Sequence, residues 1–364
     1  MGRPFVRPAP TAAGAVENPR AGRGGPGSFP PRPAPEPHRP GRGGPPPAPV
    51  NRPAPLLPSG RVAVAAPSSA ALDAADVRAG LAALRARGLT VEAAHEVAGG
   101  PSGYLAGSDA ARADALNVLL RRDDLDAVVC LRGGYGLLRI LDRIDYDAAQ
   151  AARPLVVGYS DVTALHLALW ARAGVPGVSG PMVAPDWPRL DAETEADFWR
   201  VAGGAAPYDV AGPGGEPLAG LKDGEAEGVL LGGNLALTAA LLGTPYLPDL
   251  AGAVLFLEDV GEPPYRVDGM LARLRLAGVL ERLGGLVFGL FTGAAPPPGR
   301  PSLALDEVLA HYAQYVGGPV ARDLVYGHVP RKATVPVGVR TRLRVGGGAA
   351  TLTVLEPVTE PVAS

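Results

Sequence analysis

Between Asp126 and Trp170 the chain twice repeats one pattern: a short apolar run, a glycine-containing turn, then a helix-like stretch. The runs are Ala127–Leu131 and Leu155–Val157. The first leads into Arg132-Gly133-Gly134-Tyr135-Gly136, the second into Gly158-Tyr159-Ser160-Asp161. Apolar runs this short, bounded by turn residues, fit strands buried on both faces, as in parallel sheets covered by helices. The pattern extends upstream. Arg61–Ala65 reads as a strand ended by Pro67-Ser68-Ser69, and Leu72–Arg87 as a helix with Val77, Leu81 and Leu84 on one face. Thr90–Ala93 reads as a further strand, and Ser108 as the cap of the next helix. Helices are expected at Leu137–Ile144 and Val162–Arg172. Strands alternating with helices make this part α/β, a doubly wound parallel sheet. Its ligand crevice is expected at the carboxyl ends of the strands, where both glycine turns fall.

The rest of the chain is less regular. Residues 1–55 are dominated by Pro, Gly, Ala and Arg, without aliphatic periodicity, and are expected to be disordered. No 7–15-residue apolar segment follows their arginines, as a signal peptide would need. Residues 56–187 form the first domain. Residues 188–225 are polar and turn-rich and read as the connection to a second domain, 226–364. There, Gly228–Leu231, Ala253–Leu257 and Leu286–Phe291 read as strands, and Leu324–His328 as the end of another. Leu235–Leu242, Val267–Leu276 and Leu303–Tyr315 read as helices. Thr341–Val345 and Ala350–Val354 alternate as a hairpin around Gly346-Gly347-Gly348. The second domain is therefore mixed α/β with more antiparallel character.

Composition narrows the chemistry. A net charge of −2 over 364 residues argues against a nucleic-acid partner. No apolar run approaches the roughly 20 residues of a membrane span. The single cysteine, Cys130, excludes an internal disulfide framework and a multi-cysteine zinc site. It reads as a small buried hydrophobe. Lys222 and Lys332 are the only lysines, so a lysine base has few candidates.

Ser160 follows a strand and precedes a helix, so a sharp turn there would lift its Oγ into the crevice, as in a nucleophile elbow. A G-x-S-x-G pattern is absent, because Val162 stands at the second glycine position. On spacing alone a helix N-cap competes strongly for this serine. A serine attacking a carbonyl needs two amide donors beside it. Asp161 offers one N–H, and Gly133 or Gly134 the other. Arg132 precedes these glycines and no Gly-Lys-Ser/Thr follows, so a phosphate-binding loop is a poor reading. For a base there are five histidines. His38 lies in the tail, His95 near a surface loop and His311 within a helix. His166 is two turns into the helix after Ser160 and should point away from it. Elimination leaves His328, at a strand end, with a capped loop histidine as its other reading. The imidazole needs a carboxylate to fix its tautomer. Glu258 closes a buried strand, with Asp259 and Glu262 as close rivals.

At this point the sequence resembles the LD-carboxypeptidases, a family of serine peptidases that also contains microcin C self-immunity peptidases. The matching pieces include the Arg132–Gly136 turn, Gly158–Leu165, Gly180-Pro181-Met182, Gly232-Gly233-Asn234-Leu235, Gly243–Tyr246, Leu257–Glu262 and Gly327-His328. They span the chain from about Leu56 onward. The resemblance implies Ser160 as nucleophile, Glu258 rather than Glu262 as the triad carboxylate, and His328 as base. It implies a flavodoxin-like first domain, a swivelling second domain and a homodimer. The triad would then close across the domain interface. Tyr159, Asn234 and Arg132 join Asp161, Gly133 and Gly134 as oxyanion or substrate-binding candidates, with Arg132 suited to a substrate carboxylate. The implied activity is removal of a C-terminal D-residue, D-alanine from murein tetrapeptide, in cytoplasmic peptidoglycan recycling, without metal or cofactor. A microcin-C-like hydrolase of peptidyl or aminoacyl nucleotides is the alternative, and a non-catalytic binding protein a more distant one. Two positions depart from the family pattern. Ser179 stands where a histidine is frequent, flanking the crevice with an expected bearing on substrate fit, and Gly269 where an arginine is.

Overall fold

The computed structural model describes residues 50–93, 102–211, 215–296 and 298–361. Most of the tail, together with His38 and His95, lies outside them. Residues 50–55 are already tied down: the Asn51 N–H donates to Gly174 O (3.2 Å), and Arg52 pairs with Glu356 (2.7 Å).

The first sheet is built from β1 (Arg61–Ala65), β2 (Thr90–Ala93), β3 (Ala127–Cys130), β4 (Leu155–Val157) and β5 (Gly177–Ser179). These run parallel in the order β2-β1-β3-β4-β5, the flavodoxin-like arrangement. β3 and β4 are buried at every position, as expected of strands covered on both faces. The covering helices are α1 (Ala74–Ala86), α2 (Asp109–Leu120), α3 (Tyr146–Ala152) and α4 (Thr163–Ala173). Ser108 caps α2 as expected, its Oγ accepting from the Ala111 N–H at 3.2 Å. The helix expected at Leu137–Ile144 is instead two 3-10 turns, Leu137–Arg139 and Leu141–Arg143. Ile140, at φ −125° and ψ 2°, breaks the helical run between them.

The stretch read as a connection is structured. It holds α5 (Ala192–Ala202), capped by Asp191, then β6 (Tyr208–Val210), β7 (Leu218–Lys222) and the start of β8 (Gly224–Asn234). These strands belong to a second sheet with β9 (Val254–Val260), β10 (Gly285–Thr292) and β11 (Val320–Arg322). α6 (Leu235–Ala240), α7 (Pro264–Leu276) and α8 (Leu305–Ala313) lie between these strands in sequence. β12 (Val335–Val337) leaves this sheet and pairs antiparallel with β5 of the first. The chain then returns as the expected hairpin, β13 (Val339–Gly346) and β14 (Ala349–Val354). Pairing of β13 with both β8 and β14 closes the second sheet into a barrel. On β13, Arg340, Arg342 and Arg344 alternate outward and pair with Glu225 and Glu227 of β8. Such exposed pairs contribute little, roughly 0–1 kcal/mol each. Among the described residues, no helix is long and apolar enough to cross a membrane.

Candidate active site

β4 is followed by Gly158, whose φ of +157° carries the chain into a turn where a Cβ would lie 3.0 Å from Val162. Ser160 follows with φ +64°, a left-handed conformation uncommon for any residue with a side chain. The helix-cap role is not taken, since neither the 3-10 turn Ser160–Val162 nor α4 has a side-chain cap. Ser160 Oγ instead lies 3.0 Å from His328 Nε2.

His328 sits in a loop beyond β11 rather than at a strand end. Its Nδ1 lies 2.8 Å from Glu258 Oε2, and the Glu258 side chain is wholly buried on β9. Glycines make the room: a Cβ on Gly327 (φ +129°) would come 2.8 Å from Glu258 Oε2. The rival carboxylates are engaged elsewhere. Asp259 accepts from Asn234 Nδ2 (2.9 Å) and from the Val260 and Ala236 N–H groups (2.8 and 3.0 Å). Glu262 pairs with Arg266. Burial pushes the Asp259 carboxyl upward.

The glycine turn after β3 abuts the serine. A Cβ on Gly133 would be 2.9 Å from Ser160 Cβ and 3.1 Å from its Oγ, so only glycine allows this approach. Gly134 (φ +107°) packs as tightly on Ser69 Oγ, which accepts the Tyr135 N–H at 3.0 Å. The Asp161 carboxylate accepts the Leu137 N–H at 3.0 Å and so ties the serine turn to the glycine turn. Buried Arg112 donates to the carbonyls of Gly136 (3.1 Å), Gly107 (3.3 Å) and Pro67. Sequence reasoning missed Arg112 and the Ser68-Ser69 loop. The signal for the loop was there, because it too leaves the carboxyl end of a parallel strand.

An open cleft of about 190 Å³ exposes Ser160, His328, Gly133, Gly134, Arg132 and Tyr159, with Asp73 and Asp76 also on its wall. Arg132 is steadied by one bond to Ala70 O (3.1 Å). Asn234, expected to bind substrate, does not line the cleft. Its amide donates to Asp259 and, at 3.4 Å, to Glu258 Oε1, and its Oδ1 caps α6. Ser179 is also withdrawn from the cleft, with Oγ 2.5 Å from the Tyr326 hydroxyl. A Cβ on Gly269 would meet nothing within 4 Å, and nothing in the structure explains that departure. His166 does not point away from the serine turn: its Nε2 lies 2.9 Å from Gly158 O. Burial lowers its pKa to about 4. His311 is exposed on α8 beside Tyr312 and Tyr315. Cys130 is buried, which pushes its thiol up to about 12.

Residues 62–180 match the model of the LD-carboxypeptidase N-terminal domain, and residues 227–343 that of the LD-carboxypeptidase C-terminal domain. The murein tetrapeptide carboxypeptidase of Pseudomonas aeruginosa is 35% identical over 288 residues, 77% of this chain and 91% of that protein. The crystal structure of muramoyltetrapeptide carboxypeptidase from Oxalobacter formigenes superposes with a TM-score of 0.72 at 30% identity, covering 82% of this chain and 99% of that one. The microcin C7 self-immunity protein MccF of Escherichia coli is 26% identical over 267 residues, 65% of this chain and 76% of that protein.

Proposed function

This chain belongs to the LD-carboxypeptidase family, and we propose that it is a serine carboxypeptidase releasing a C-terminal D-amino acid from murein tetrapeptide through Ser160, His328 and Glu258. The observation that carries the reading is the linear run of contacts facing the cleft. Ser160 Oγ is 3.0 Å from His328 Nε2, and His328 Nδ1 is 2.8 Å from Glu258. Glu258 accepts the Nδ1–H, which leaves the Nε2 lone pair toward the serine. His328 takes the Ser160 proton as Oγ attacks the carbonyl carbon of the L,D-peptide bond. The N–H groups of Asp161 and of the Gly133-Gly134 turn hold the oxyanion. Collapse breaks the C–N bond, and His328 hands its proton to the leaving amine of the D-residue. Water, deprotonated by His328, then cleaves the acyl ester and restores Ser160. Arg132 on the cleft wall suits the terminal carboxylate of the substrate.

The test is incubation of the purified chain with murein tetrapeptide, with free D-alanine measured. Release that falls by roughly 10⁴-fold or more in Ser160→Ala supports the reading. No release, or cleavage confined to aminoacyl-nucleotide analogues, overturns it.

A further inference from the structure

Only two of the chain's 34 basic Lys and Arg residues are lysines, and one of them is buried behind the serine turn. Lys332 Nζ lies 2.7 Å from Asp186 Oδ1, with side-chain exposures of 1% and 8%. The same Nζ stands 3.9 Å from the centroid of the Tyr159 ring. Tyr159 immediately precedes Ser160, and its ring meets His328 edge-on at 5.2 Å. Its hydroxyl donates to Asp186 Oδ1 at 3.3 Å, while Asp186 Oδ2 accepts the Met182 N–H at 2.8 Å. Lys332 also stands at the foot of the loop that carries His328, which the Ala333 N–H closes by donating to Val325 O at 2.7 Å. One ammonium, carried four residues after the histidine, therefore touches both the ring that precedes the serine and the carboxylate that this ring's hydroxyl meets.

A buried ion pair of this kind is often no more stable than apolar residues of the same volume, so stability alone does not account for it. An ammonium is a compact point charge that can sit on an aromatic face and against a carboxylate together, as Lys332 Nζ does here. We propose that Lys332, held by Asp186 and capped by the Tyr159 ring, is a positioning residue that keeps the His328 loop in register with Ser160. This rests on the reading of Ser160 and His328 as the reacting pair. Loss of the ammonium lets the two segments shift, and a displacement near 1 Å at a reacting pair costs roughly 100-fold in rate.

Two variants test it. Lys332→Met removes the charge and keeps the length. Lys332→Met with Asp186→Asn also removes the stranded carboxylate, so it remains informative if the single variant does not fold. Both are compared with the wild type for kcat and KM on murein tetrapeptide, for thermal stability, and for the rate at which a fluorophosphonate labels Ser160. The expected result is a fall of roughly 10- to 100-fold in kcat and in labelling rate, with KM nearly unchanged. That fall persists in the double variant even though its stability returns. A double variant whose kcat and labelling recover together with stability reduces Lys332 to a structural residue and overturns the proposal. The labelling rate keeps this test separate from the substrate reading. If the wild type labels at Ser160 yet releases no D-alanine, the proposed substrate fails while the positioning role is still measured.

Discussion

At Ser160 a side chain is held at φ +64° because everything around the turn fixes it there. Gly133 closes on it from one side and His328 hydrogen-bonds it from the other. The left-handed region costs a residue with a Cβ about 1–2 kcal/mol, a strain tolerated where it aims a functional atom. Two variants separate the strain from the hydroxyl. Ser160→Ala keeps the Cβ and the strain, whereas Ser160→Gly removes both. The glycine variant is expected to be more stable than the alanine variant by about 1 kcal/mol, read from the urea midpoints at equal m-value. Equal midpoints would mean that the turn stores no strain. Elimination among five histidines leaves His328, whereas Ser160 on spacing alone is open between nucleophile and helix cap, and the family resemblance carries most of its proposed role. Glu258 needed more than elimination, since Asp259 and Glu262 carry the same charge, and three-dimensional reach is what separates them. Asn234, expected from the family resemblance to meet substrate, is buried with its amide on Asp259 and Glu258, a placement its sequence neighbours do not reveal.

Among the elements, β1 to β4 were legible as short apolar runs, whereas β5 lies in Gly174–Pro185, which reads as a glycine- and proline-punctuated loop, and α5 was not legible either. Its helix signals were present: Asp191 accepts from the Thr194 N–H, acidic residues fill the first turn and Arg200 stands in the last. The surrounding Pro, Gly and Asp residues masked them. β12 was invisible for a different reason. Three residues carry no periodicity, and its partner β5 lies some 150 positions earlier. α4 shows what tertiary placement adds to a helix. Its His166 reaches back to Gly158 O, and a Cβ on Gly177 of β5 would lie 2.4 Å from its Nδ1. Burial holds this imidazole neutral down to about pH 4, against a usual value of 6.5. Between these values the unfolded chain binds a proton here that the folded chain does not. His166 therefore adds stability that is present above pH 6.5 and is lost as the pH falls toward 4. Thermal melts across that range should fall more steeply for the wild type than for His166→Gln, which cannot titrate. Parallel curves would show that the ring is protonated in place or is not buried.

At the scale of the whole molecule, the chain does not finish one sheet before starting the other. It builds five parallel strands, enters the barrel at β6, returns to the first sheet with β12 and re-enters the barrel with β13. Separating the two sheets therefore requires stripping β12 from β5. It also breaks the Asn234 N–H bond to Thr163 Oγ1 (3.0 Å), the Lys332–Asp186 pair and the Ser160–His328 contact. Gly233 adds a steric lock, since a Cβ there would come 2.4 Å from Thr163 Oγ1. With apolar strands and buried polar bonds shared in this way, neither part can unfold and leave the other with its own surface satisfied. Calorimetry is expected to show one transition with equal calorimetric and van't Hoff enthalpies, although the chain is longer than most that behave so. Placing a charge in the shared strand, as in Val335→Asp, should lower the midpoint of that single transition and leave it single. Two resolved transitions, with only the first moved by the substitution, would mean that the sheets unfold separately and that the bonds between them are too weak to couple them.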